Sequence, residues 1–192
     1  MPNAENTLKT SLSDPLRIDT IPVGRQGGAV GVTFAPGKYQ ETAMTGAWAR
    51  DLDLDLCEIR KWGARHLVTL IEPSELHELR IPSLPERASQ HGLVWHGLPI
   101  TDGAAPDRRF LDPWSALGPM LSRKLLAGAK IVVHCKGGLG RAGTVASMLL
   151  LQSGAAADGE EAILQVRSAR PGAIETLEQE AFIRAWACQV NG

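Results

Sequence analysis

The chain has 192 residues, 44% of them hydrophobic, with 20 Lys and Arg against 21 Asp and Glu for a formal net charge of -1. That length builds one sizeable core more readily than two small ones, and the balanced charge excludes a general affinity for nucleic acid or an anionic membrane, so any anion must be bound locally. Three scattered cysteines, Cys57, Cys135 and Cys188, form neither a disulfide framework nor a C-x-x-C metal or redox motif, which points to a reducing compartment. The opening residues lack the apolar core of a secretory signal, and no apolar run approaches the ~20 residues that span a bilayer. The expectation is a cytoplasmic protein with a polar, loosely ordered arm over residues 1–16 and a single domain over 17–192.

In chain order, "AVGVTF" (29–34) predicts a strand and "APGK" a turn through Pro36-Gly37. Trp48 to Trp62 places Leu52, Leu56 and Ile59 at helical spacing, and Gly63 stands where a helix stops. "HLVTLI" (66–71) is a second strand; residues 73–91 give short helical pieces broken at Pro82 and Pro85; "LVWHGL" (93–98) is a third strand. The turn-rich loop "PITDGAAPDRR" follows, then a helix to Ala127 with Asp112 as N-cap and Pro113 in its first position. "KIVVHC" (130–135) is a nearly continuous apolar strand, as expected of one covered on both faces.

Behind "KGGLG" a helix begins near Arg141, apolar on all faces and therefore central. Asp158 caps a helix to Ser168, and Thr176-x-x-Gln179 opens a last one to Val190 with a capping box. Strands alternating with helices predict an α/β fold, a largely parallel central sheet with helices on both faces. Ligands of such sheets sit beyond the carboxyl ends of the strands, where Cys135 falls.

Glycines at 137, 138 and 140 free the backbone N–H groups of Lys136, Gly137, Gly138, Leu139, Gly140 and Arg141 to turn toward one centre, a nest that binds an anion. The following helix adds unsatisfied amides and the positive end of its dipole. A nucleotide-binding Walker loop would end in Gly-Lys-Ser/Thr and has no use for a thiol at its base. Here the positive field falls on Cys135 and favours the thiolate, the nucleophilic form. Arg141 can donate two parallel hydrogen bonds to phosphate oxygens, and His134 is placed to orient the cysteine backbone. Lys136 points outward and adds positive potential beside the pocket.

"HCKGGLGRAG" resembles the His-Cys-x5-Arg signature of the cysteine-dependent protein phosphatases, tyrosine-specific and dual-specificity alike. With "GVTFAPGK", "PITDGAAPD" and "RPGAIET" in order, residues 28 to 187 resemble the kinase-associated phosphatase (kinase inhibitor 3) family and its bacterial relatives. The resemblance implies phosphoryl transfer from a phosphorylated protein through a cysteinyl-phosphate, without cofactor or metal. It makes Asp102 the general acid on a mobile loop, with Asp107 as the alternative. Two positions depart from the wider family. Ala142 stands where many members have a hydroxyl that helps the intermediate break down, which predicts slow turnover, Thr144 being the hydroxyl available in its place. Glu175 stands where the tyrosine-specific branch has a water-orienting Gln.

Two other functions compete with a phosphatase: a phosphate-recognising module that loads but scarcely turns over, and a thiol enzyme acting on arsenate or sulfane sulfur. Arg167 and Arg170 are candidates to touch substrate from the rim or to pair with acidic helices. Cys57 and Cys188 are packed or idle, or one of them forms a protective disulfide with Cys135. The tryptophans belong to core or interfaces, and Gln179 needs no role beyond its cap.

Overall fold

The computed structural model describes residues 8–43 and 46–190. Its main sheet has the order β1-β2-β7-β5-β6, built from β1 (Asp19–Val23), β2 (Gly28–Phe34), β5 (Ala64–Thr69), β6 (Val94–Gly97) and β7 (Lys130–Cys135). β2, β7, β5 and β6 run parallel, and β1 closes one edge antiparallel to β2. A two-residue pair, β3 (Tyr39–Gln40) and β4 (Trp48–Ala49), stands apart. The sheet is thus mostly parallel, as the alternation of strands and helices requires.

Seven helices complete the described residues: α1 (Leu52–Trp62), α2 (Pro73–Glu78), α3 (Leu84–Gln90), α4 (Arg108–Leu126), α5 (Gly140–Gln152), α6 (Gly159–Ala169) and α7 (Leu177–Val190). β2 shows both covered faces: a Cβ on Gly28 would meet the backbone of Leu125 in α4, whereas one on Gly31 would meet Trp62 at the end of α1. Residues three apart on a strand face opposite ways. α4 to α7 therefore pack on one side and α1 with α3 on the other. α5 is buried along its whole length to Leu151, as its all-round apolar sequence demands.

Several boundaries differ from the sequence expectation. The first helix starts at Leu52, capped by Asp51, and Trp48 belongs to β4. α4 begins five residues earlier than expected, with Asp107 as N-cap accepting from the Arg109 N–H, and runs through Pro113 and Pro119. Fully buried Phe110 and Trp114, their rings 4.9 Å apart, hold the early turns in place; two such aromatics bury enough area to outweigh one lost helical hydrogen bond. Pro85 opens α3 rather than breaking it.

Of the residues expected to form a loose arm, 1–7 lie outside the described residues, whereas 8–16 are docked. Lys9 bridges to Trp48, Ser11 exchanges hydrogen bonds with Asp51, and Leu16 is buried. The Asp14 carbonyl accepts from Arg50 Nη1 at 2.7 Å. No helix among the described residues is long and apolar enough to cross a membrane.

Candidate active site

Because β2, β5, β6 and β7 are parallel, their carboxyl ends lie along one edge. The segments leaving them carry Lys38, Glu75, Asp102 and the Cys135–Arg141 loop. Residues up to about 100 positions apart in sequence meet there for that reason alone.

Cys135 ends the central strand opposite Phe34 and is buried. The Gly138 N–H donates to its Sγ at 3.2 Å. Gly138 has φ +70°, and a Cβ there would lie 2.4 Å from the Thr33 carbonyl, so this position admits only glycine. Gly137, by contrast, has open space around it. Arg170 braces the loop from behind, giving Nε to the Gly138 carbonyl at 3.0 Å and Nη2 to that of Gly137 at 3.1 Å, while Nη1 pairs with Asp19 at 2.7 Å. Its role lies with the loop backbone. Arg167 donates to the Ala173 and Ile174 carbonyls and to Glu180, away from the thiol. Lys136 turns outward, 3.8 Å from Glu78.

Arg141 is 1% exposed. Glu75, from the first turn of α2, grips it with both oxygens, accepting from Nη1 at 2.6 Å and Nη2 at 2.9 Å. The Ile100 carbonyl takes a further bond from Nη1 at 3.0 Å. Burial alone would raise the Glu75 carboxyl above its usual range and depress Arg141; the hydrogen bonds between them reverse both directions, and the Glu72 N–H helps Glu75. Both stay charged. Arg141 Nε is left buried with no partner among the described residues. An orphan donor on a buried cation is costly unless an oxyanion meets it.

His134 is fully buried, and burial pushes its pKa down to about 4, so the ring is neutral. Its Nδ1 faces the Cys135 carbonyl at 3.4 Å and its Nε2 the Thr69 hydroxyl at 2.8 Å. That hydroxyl also accepts the Trp95 indole N–H at 2.9 Å, so its own proton goes to His134 Nε2 and the ring proton sits on Nδ1. The chain Trp95, Thr69, His134 fixes the backbone beneath the thiol. A ring that is neutral, buried and committed at both nitrogens is no proton acceptor for Cys135.

Asp102 is exposed, with Oδ1 3.0 Å from Arg141 Nη2. Asp107 is spent on capping α4 and on Arg109, whose hydrogen bond holds its carboxyl below the usual range. The loop between them is fastened to the start of α7. The Thr176 hydroxyl donates to the Gly103 carbonyl at 3.1 Å, the Gln179 amide to that of Ala104 at 3.4 Å, and the Ala105 N–H to Glu178 at 3.1 Å. Gln179 therefore does more than cap α7, although its Oε1 does accept the Thr176 N–H as a capping box requires.

Glu175 accepts the Gly140 N–H at 2.9 Å, so one of the amides expected to face an anion is held by a carboxylate. The Thr144 hydroxyl is committed to the Gly140 carbonyl within α5. Cys57, Cys135 and Cys188 are all free thiols, and no cluster of three potential metal ligands occurs among the described residues. Glu75 escaped the sequence reading. "EPSELHE" signals a helix start, but nothing local announces a partner 66 residues away.

A strand ending in a thiol, a glycine loop and a helix whose first turn carries a buried arginine define the cysteine-loop phosphatase fold. The chain belongs to the dual-specificity and tyrosine phosphatase family: residues 43–183 match the domain described as "PTP-SAK: Swiss Army Knife protein, DSP-PTPase phosphatase domain". It is 30% identical over 173 residues to cyclin-dependent kinase inhibitor 3 of Rattus norvegicus, covering 88% of this chain and 77% of that protein. Among solved structures, kinase-associated phosphatase with its catalytic-site cysteine replaced by serine aligns with a TM-score of 0.79 at 26% identity, over 93% of this chain and 98% of that one. The active form of Tk-PTP aligns at 0.65 and 26%, over 87% and 97%.

Proposed function

We propose that the protein is a phosphatase that hydrolyses phosphotyrosine, and phosphoserine or phosphothreonine as well, in phosphorylated proteins through a cysteinyl-phosphate. The observation that carries this reading is Arg141 Nε, a buried donor without a partner among the described residues, in the helix that follows a glycine loop with a free thiol at its base. Cys135 Sγ attacks phosphorus, the ester P–O bond breaks, and Asp102 delivers a proton to the leaving oxygen. Water then attacks phosphorus, the S–P bond breaks, and Asp102 takes the proton back as inorganic phosphate forms. The loop amides and Arg141 gather the charge on the equatorial oxygens. A bound phosphate competes with Asp102 for Nη2, which frees the carboxyl for the leaving group. The kinase-related names of the relatives fit protein substrates.

A second reading, a module that holds phosphate but scarcely turns over, draws on Ala142, on the committed Thr144 hydroxyl and on Glu175 at the Gly140 amide. Phenol release from an aryl phosphate over the first turnover separates the two. A stoichiometric burst that is lost in Cys135→Ser and diminished in Arg141→Ala and Asp102→Asn is the expected result. Binding without phenol favours the module, and release undiminished in Cys135→Ser ends the cysteine mechanism.

A further inference from the structure

Beside the phosphate loop lies a cleft of about 500 Å³, one wall of which is Gly137 and Leu139 of the loop itself. Four basic side chains line it, Lys9, Arg17, Lys38 and Arg170, against the single acid Asp14. The two arginines share one carboxylate, Asp19, at 2.6 and 2.7 Å. The two lysines have no carboxylate within ion-pair reach among the described residues. Instead their ammonium groups lie over aromatic rings: Lys38 is 4.8 Å from Phe34 and 4.5 Å from Trp48, and Lys9 is 4.9 Å from Trp48.

Lys38 is 5% exposed. Arg50 shares the same rings but is closed off by both oxygens of Asp55 at 2.8 Å. A lysine buried this far whose ammonium has, among the described residues, ring faces for partners is costly. Burial first, then Arg50, Arg170 and Lys136, lower its pKa to about 8, against the pull of Cys135. An anion in the cleft relieves that cost.

We propose that this cleft is a subsite for a second anionic group of the substrate, a carboxylate or single phosphate carried close to the phosphorylated residue, so that the substrates are acidic phosphopeptide segments. The inference rests on the phosphatase reading and names the substrate class for it. Two lysine point charges suit one such group. A polyphosphorylated lipid headgroup calls for convergent free guanidinium forks; the Arg170 fork is spent on Asp19 and the Gly137 and Gly138 carbonyls, which leaves the largely exposed Arg17, paired to Asp19 through Nε, as a single fork with no second to converge on.

The test is binding of the Cys135→Ser protein to two fluorescent phosphotyrosine peptides, one flanked by glutamates and one by glutamines. The acidic peptide binds about tenfold more tightly at low salt, from two charge-assisted contacts, and the ratio shrinks as salt rises. Lys38→Met, which keeps the apolar stem, brings the ratio near one, and Lys9→Ala lowers it part of the way. Equal affinities, or a ratio untouched in a Lys38→Met protein of unchanged Tm, overturn the subsite alone. Preference for phosphoinositide vesicles over both peptides overturns the peptide assignment. If neither peptide nor vesicle binds and the parent protein releases no phenol from an aryl phosphate, the phosphatase reading has failed, and the subsite with it.

Discussion

Replacing Glu75 by glutamine tests how Arg141 is held. The amide keeps one oxygen for the guanidinium but turns an N–H pair toward the other nitrogen, so one of the bonds at 2.6 and 2.9 Å is replaced by two opposed donors. Removing one partner of a buried ion pair costs about 3–5 kcal/mol. The lower end applies here, since Arg141 keeps the Ile100 carbonyl and Asp102, each at 3.0 Å. Released from its bidentate grip, the guanidinium leans on Asp102 and leaves the line of the phosphate. Loss of one preorganised donor costs about 10²–10³ in rate, and kcat/KM for an aryl phosphate should fall by that factor. Urea unfolding measured alongside separates the two effects, and Glu75→Asp, one methylene short, should fall between. A folded Glu75→Gln protein with kcat/KM within a few-fold of the parent would show that Arg141 needs no help from α2.

Three further outcomes are expected. His134 titrates near 4 in the fold against about 6.5 for a free histidine, so the unfolded chain binds the proton first as pH falls; at about 1.4 kcal/mol per unit, roughly 3 kcal/mol of stability disappears between pH 6.5 and 4. Glu75, held below the usual carboxylate range, adds a loss below about pH 4.5; urea midpoints flat from pH 7 to 4.5 would contradict the first, and midpoints flat on further acidification the second. Glu175→Gln removes a negative charge from the Gly140 amide while keeping an acceptor there, so tungstate should inhibit at least several-fold more strongly; an unchanged inhibition constant places that carboxylate outside the anion seat. Ala142→Ser restores a hydroxyl beside the loop and should raise the steady-state rate relative to the burst, whereas an equal fall in both phases points to a packing defect at this fully buried position.

What the sequence disclosed and what it hid divide along physical lines. β2, β5 and β7 could be read from their apolar runs because both faces of a central parallel strand are covered. β1 could not: "DTIPV" is five residues with a proline, tolerated because the strand is an edge, and its alternating burial repeats too few times to stand out. Asp112-Pro113 looked like a helix start because capping chemistry is local, and Asp107 prevailed because Phe110 and Trp114 anchor the turns between them.

The same division governs the site. The thiol, the glycines and Arg141 lie on one continuous stretch whose spacing is itself the chemistry, so they were legible. Glu75, Lys38 and the fastening of the acid loop to Thr176, Glu178 and Gln179 act only through the fold, across gaps of tens of residues. That fastening bears on how the acid reaches its substrate. Gly103, Ala104 and Ala105 are tied to α7, while Asp102 just before them is held by Arg141 alone among the described groups. On the proposed mechanism, these ties hold the backbone after Asp102 in place, so that an incoming phosphate need displace only the Asp102 carboxyl from Nη2 for the acid to meet the leaving oxygen. Thr176→Val, which cuts the bond to the Gly103 carbonyl, should lower the rate of the burst while leaving tungstate binding intact.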